Sequence, residues 1–147
     1  FGERGITTST VAARRFGGPG SAVAAASRLG VTIEQVLWSN VEAVFQAARA
    51  VDLIVSTLPA GVADPLAQCL DVRDGQVLLD VVYSPRNTAL CSVFEAGGGI
   101  VAEGTDMLVY QAGAQVQLMT GRSPDIDVMR TALEEELERR SREGAAS

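Results

Sequence analysis

The side chains available for chemistry are defined first by what is missing. The 147 residues include no histidine, and all twelve basic residues are arginine, so lysine is absent too. The commonest general base and the Schiff-base nucleophile are therefore lacking, which leaves carboxylates, two tyrosines and two cysteines. Any reaction here must draw its reactive groups from a cofactor or from residues outside this chain. One stretch is suited to hold such partners: Gly104-Thr105-Asp106-Met107-Leu108-Val109-Tyr110-Gln111. With about 3.6 residues per turn, Gly104, Met107, Leu108, Gln111 and Gln115 share one flank of a helix. Gly104 admits close approach to the backbone, and Met107 offers a soft apolar surface. Gln111 carries both a donor and an acceptor, which suits a hydroxyl-rich small molecule. The competing reading is a buried helix with an incidental glutamine. Thr105 or Asp106 is the expected cap of this helix.

Other candidates lie where strands should end. Arg14-Arg15 closes a β-branched run; in a dinucleotide-binding half an arginine at this point accommodates a 2′-phosphate, and Arg15 could stack on adenine. Two solvated surface arginines are the alternative. The glycines at 17, 18 and 20 lack the spacing of a phosphate loop and read as a flexible connection. Tyr83, at another strand end, is a phenol, a group whose ordinary pKa of ~10 favours hydrogen bonding over proton transfer. Asp80, inside an apolar strand, either polarises a neighbour or bonds the backbone N–H groups of an adjacent loop. Cys69 and Cys91 read as reduced core residues in helical contexts, without metal-binding spacing.

These residues need a frame. Strands are expected over 6–13, 31–38, 52–57, 77–82 and 100–102. Helices are expected over 21–29, 40–50, from the turn at 58–61 to 70, 87–96, 104–120 and 124–142, with a frayed helix end at 1–4. The run at 52–57 has the apolar character of a strand in the middle of a parallel sheet. Asn87 is the expected cap of its helix, and Ser123-Pro124-Asp125 the start of the last one. Strands alternating with helices imply an α/β fold: a doubly wound, mostly parallel sheet with helices on both faces, plus C-terminal helices. Ligands of such sheets bind beyond the carboxyl ends of the strands, so 14–15, 57–61, 81–83 and Gly104 should line that edge. A net charge of −6 argues against nucleic acid or an anionic membrane as the main partner. No apolar run approaches the ~18 residues of a membrane span, and the charged end of the last helix reads as a solvated face.

The second half resembles the cofactor domain of the shikimate dehydrogenase family. The resemblance rests on Asp80-Val81-Val82-Tyr83-Ser84-Pro85, then Thr88 and Leu90, then 104–112, then Gly121, and it extends from about Ile6 to Leu133. It implies a Rossmann-like NADP-binding domain over 1–122, a C-terminal helix over 123–142 and a tail over 143–147. It also implies that the glycine-rich loop and the N-terminal substrate domain, with the family's catalytic Lys and Asp, lie outside this chain. The activity implied is reversible reduction of 3-dehydroshikimate by NADPH, in the cytoplasm. No catalytic residue and no metal ligand is expected here, and the chain alone should be inactive. By position, Ala13, Arg14 and Arg15 match the 2′-phosphate loop, and Thr57, Leu58, Pro59 and Gly61 the turn beside the cofactor. Val81, Gly104 and Met107 match the nicotinamide surroundings, and Tyr83 and Gln111 the substrate contacts. Ala13-Arg14-Arg15 departs from the usual Asn-Arg-Thr, Ser56 and Ser84 stand where Asn is common, and 58–61 is a variant turn. A quinate enzyme using NAD, or a free-standing dinucleotide-binding module, are the alternatives; the partners implied are a small-molecule substrate, the missing domain and a second copy as a homodimer.

Overall fold

Capping residues and β-branched runs set the alternation of elements. The structure, a computed structural model, describes residues 9–83 and 87–144. The expected helix end at 1–4, the first residues of the strand placed at 6–13, and the 84–86 turn lie outside them. The chain divides into two compact units, one running to Val51 with Cys69–Asp71 added, the other holding the remainder.

The first unit contains β1 (Thr10–Ala13), α1 (Ala22–Leu29), β2 (Glu34–Leu37) and α2 (Val41–Ala50). β1 and β2 pair in parallel, Thr10 opposite Glu34 and Ala13 opposite Leu37. The Ser21 hydroxyl accepts a hydrogen bond from the Ala24 N–H and so caps α1, and the Asn40 side chain does the same for α2 through Ala43 N–H. Each cap satisfies one of the donors that a helix N-terminus leaves open. Ala26, Val36, Val44 and Ala48 are buried.

The second unit contains β3 (Leu53–Ser56), α3 (Asp64–Ala67), β4 (Val77–Asp80), α4 (Ala89–Ala96), β5 (Ile100–Glu103), α5 (Gly104–Thr120) and α6 (Ile126–Gly144). Its three strands are parallel in the order β3-β4-β5, with Ser56 opposite Asp80 and Asp80 opposite Glu103. All three therefore finish at one edge. Leu78, Phe94, Leu90 and Val109 form the centre of the core.

Several expectations are corrected. β3 is an edge strand of its three-stranded sheet among the described residues, with Leu53 and Val55 more than two-fifths exposed, because β4 covers only one side. The helix expected to reach residue 70 is only the four-residue α3, so Cys69 sits in an exposed turn instead of the core. Thr88, not Asn87, caps α4: its hydroxyl accepts from Cys91 N–H at 3.2 Å. The last helix, expected from residue 124, starts at Ile126, and Asp125 caps it, accepting from the N–H groups of Asp127 and Val128. Neither Thr105 nor Asp106 caps α5, which starts without a side-chain cap at Glu103.

The last helix follows its sequence pattern. Ile126, Met129, Leu133 and Leu137 are half-buried, and no residue of α6 is fully buried. Its end carries ion pairs of one helical turn, Arg139 with Glu136 and Glu143, Arg140 with Glu136, and Arg142 with Glu138. The Arg139 and Arg140 guanidiniums hold the Glu136 carboxyl down at about 2. These are solvent-facing pairs, as expected of the run. No helix among the described residues is long and apolar enough to cross a membrane.

Candidate functional site

The edge where β3, β4 and β5 finish is built by backbone contacts. The Val81 N–H donates to the Ser56 carbonyl at 3.0 Å, so the segment after β4 is tied to the end of β3. On the other side, Gly104 opens α5 directly against the same segment. A Cβ placed on Gly104 would lie 2.6 Å from the Val81 carbonyl oxygen, 2.7 Å from its carbon and 3.0 Å from the Asp80 oxygen. No side chain fits there. The absence of a Cβ serves helix-on-strand packing and puts the first turn of α5 on the carboxyl end of β4. This refines the expectation that the glycine exists for a ligand's approach.

A buried side-chain network holds the segment from below. Asp80, 3% exposed, accepts from Val82 N–H through Oδ1 at 3.2 Å and from the Thr88 hydroxyl through Oδ2 at 2.8 Å. Of the two readings for Asp80, the loop-bonding one is what the structure shows. Thr88 Oγ1 also lies 3.2 Å from Cys91 Sγ, but a hydroxyl has a single proton. The shorter contact to a carboxylate takes that proton, so the Cys91 thiol is the donor within the cluster, with Asp80 Oδ2 at 3.9 Å. One residue pair thus caps α4 and anchors the loop that carries Val81 and Tyr83.

Burial pushes the Cys91 thiol above its ordinary pKa; the hydrogen bonds with Thr88 oppose this, and the charges of Asp80 and Glu95 add to it. A raised pKa means less thiolate at any given pH, hence lower nucleophilicity. Titration of the folded protein with a soluble disulfide reagent should therefore modify one thiol, the exposed Cys69, and release the second only on denaturation. Two thiols reacting at equal rates in the native protein would contradict this arrangement.

The expected site residues are distributed as follows. In the second unit, Val81 and Gly104 adjoin through backbone, and Thr57, Leu58, Pro59 and Gly61 form the turn leaving β3, closed by the Val62 N–H to the Pro59 carbonyl at 3.1 Å. Met107 is half-buried, Gln111 is exposed one turn on, and Tyr83 is 47% exposed just beyond β4. In the first unit, Ala13 ends β1 and hands on to Arg14 and Arg15, which are both exposed. Among the described residues no hydrogen bond or ion pair engages either guanidinium. A cavity of about 260 Å³ lined by Asn87, Cys91, Glu95, Val101 and Glu103 contains none of the expected residues, and its two glutamates disfavour an anion.

Two features of this region were not legible as site elements. Thr88 is neutral in any periodicity argument; only a buried aspartate eight residues upstream hints at its role. Asp106, expected to cap α5, instead forms a side-chain ion pair with Arg130 of α6, and that contact raises the Arg130 pKa further. No sequence signal connects residues 24 positions apart.

The α5–α6 region is where known proteins first agree with this geometry. Residues 104–134 match a family model described as the shikimate 5′-dehydrogenase C-terminal domain. The shikimate dehydrogenase (NADP(+)) of Methanothermobacter thermautotrophicus is 31% identical over 107 residues, covering 69% of this chain and 38% of that protein. The crystal structure of a shikimate 5-dehydrogenase from Mycobacterium fortuitum superposes with a TM-score of 0.75 at 34% identity, covering 88% of this chain. The chain is thus similar to shikimate dehydrogenases in sequence and in fold. A second solved member, from Thermus thermophilus in complex with NADP(H) and shikimate, has a TM-score of 0.66 at 28% identity. The fold is therefore the α/β, Rossmann-like one of these family members, with parallel strands in two sheets. The chain spans 47% of the length of each of the two crystallised members.

Proposed function

We propose that this chain is the cofactor-binding half of an NADP-dependent shikimate dehydrogenase, an oxidoreductase that reversibly reduces 3-dehydroshikimate to shikimate. The observation that carries the reading is the seating of Gly104 on Val81, which puts the first turn of α5, the helix that carries Met107 and Gln111, against the carboxyl end of β4, with Tyr83 just beyond that strand. An apolar thioether next to donor–acceptor side chains suits a nicotinamide lying against a hydroxylated ring.

The residues present fit the dinucleotide. Arg14 and Arg15 follow a parallel strand, are exposed, and have no counter-ion among the described residues. Paired guanidiniums in that state suit a 2′-phosphate, which distinguishes NADP from NAD. In this reading Ala13, Arg14 and Arg15 hold the adenosine phosphate, and the Thr57–Leu58–Pro59–Gly61 turn borders the cofactor. Val81, Gly104 and Met107 shape the nicotinamide pocket, and Tyr83 and Gln111 hold substrate hydroxyls. NADPH supplies the hydride. In this reading the chain supplies orientation, and the proton transfer is assigned to groups outside it. The acid–base groups belong to a substrate domain of the kind found elsewhere in the family, and 1–122 with the helix over 123–142 is the cofactor half that meets it.

The test is turnover. The full-length protein should convert NADP⁺ to NADPH with shikimate, and this chain alone should not. Arg14→Ala should reduce the preference for NADP⁺ over NAD⁺ by about tenfold or more, the scale of one charge-assisted phosphate contact. Activity of the full-length protein with neither shikimate nor quinate would overturn the assignment, and an unchanged cofactor preference would remove Arg14 from it.

A further inference from the structure

The first turn of α5 has no side-chain cap, while the reading given above needs Met107 and Gln111 to face a defined direction. Beyond its first residue, this helix packs against α6. The Asp106 carboxylate pairs with the Arg130 guanidinium, and the same guanidinium lies over the Tyr110 ring, 6.0 Å from its centroid. One further turn on, a Cβ at Gly113 would come within 2.6 Å of Ile126 Cδ1, so the start of α6 is pressed against bare backbone. Asp106, Tyr110 and Gly113 stand at i, i+4 and i+7 and form one stripe. Gly104, Met107 and Gln111 form another, roughly 130° round the axis at about 100° per residue. A helix held on one stripe and at its first residue cannot turn the other stripe independently.

We propose that Arg130 is a positioning residue for ligand binding, which clamps α5 from the side away from the site and so fixes the direction of Met107 and Gln111. The inference rests on the reading of that helix given under Proposed function. Arginine is suited to the task because a planar guanidinium can bond a carboxylate along its edge and stack on a ring with its face. An ammonium can do only the first well.

The experiment compares Arg130→Ala, Arg130→Lys and the charge-reversed pair D106R/R130D with the wild type in the full-length protein. Arg130→Ala should raise the KM for shikimate about fivefold to tenfold with kcat changed less than about twofold, as a misdirected binding group does. Arg130→Lys should lie between, and the reversed pair should recover most of the loss. A lowered Tm with the KM for shikimate unchanged would show a purely structural contact and overturn the proposal. Should the wild type not oxidise shikimate at all, the functional reading fails, and the clamp is then judged by amide hydrogen exchange over 107–111. Faster exchange there in Arg130→Ala upholds it, and unchanged exchange overturns it.

Discussion

Gly104→Ala is expected to destabilise the protein by roughly 3 kcal/mol, toward the upper end of overpacking effects. The size follows from what the new methyl would meet. Its nearest neighbours are the carbonyl oxygen and carbon of Val81 and the carbonyl oxygen of Asp80, at 2.6 to 3.0 Å, and all are backbone. A flexible side chain could swing aside, but a strand end cannot. Val81 is itself fixed, because its N–H is bonded to Ser56 and its neighbour Asp80 pairs in the ladder with Glu103. Relief can come only from lifting α5 away from β4, which displaces Met107 and Gln111 together. Thermal unfolding should show the loss as a Tm lower by about 6–12 °C, at ~2–4 °C per kcal/mol for a domain of this size. Gly121→Ala, at the far end of the same helix with nothing within 4 Å but φ at +69°, separates strain from clash. It should be the milder of the two, near ~1 kcal/mol. Equal losses at both positions would mean that the Gly104 contact with Val81 is not tight.

The contrast between these glycines shows what sequence pattern can and cannot supply. Ser21, Asn40 and Gly121 act locally, through atoms within four residues, and each caps the helix where its residue type predicts. The strand ends that carry the candidate site follow from the same local alternation, so the positions of Tyr83, Val81 and Gly104 were legible. The reason for Gly104 was not. It depends on a backbone that arrives from more than twenty residues earlier, and no periodicity reports such an approach. The same limit applies to Arg130, whose partner lies on another helix, and to β3, whose apolar run resembled a central strand although it is half open in its sheet. Local chemistry sets the elements; long-range contact sets why particular residues in them are irreplaceable.

Asp80 offers the sharpest case, because its replacement tests whether the loop and the helix α4 are held by one network or by separate bonds. Asp80→Ala removes the acceptor for both Val82 N–H and the Thr88 hydroxyl inside a site that is 3% exposed at Asp80 and 9% exposed at Thr88. Two donors lose a charged partner away from water, at a cost of about 3–4 kcal/mol in unfolding free energy, allowing for partial relaxation. Asp80→Asn should cost less, near ~1–2 kcal/mol, for a reason specific to this geometry. The amide oxygen can still accept from Val82. Its NH₂ can donate to Thr88 Oγ1, provided the hydroxyl turns its own proton elsewhere, and Cys91 Sγ waits 3.2 Å away as the acceptor. The thiol then changes from donor to acceptor, and the helix cap from Cys91 N–H to Thr88 Oγ1 survives. Removing that outlet in the double variant D80N/C91A should therefore cost more than the sum of the two single changes by a few tenths to about 1 kcal/mol. Urea unfolding of the four proteins measures the coupling directly. Additive losses, or Asp80→Asn as damaging as Asp80→Ala, would mean that Thr88 does not reverse its hydrogen bond and that loop and helix are anchored independently.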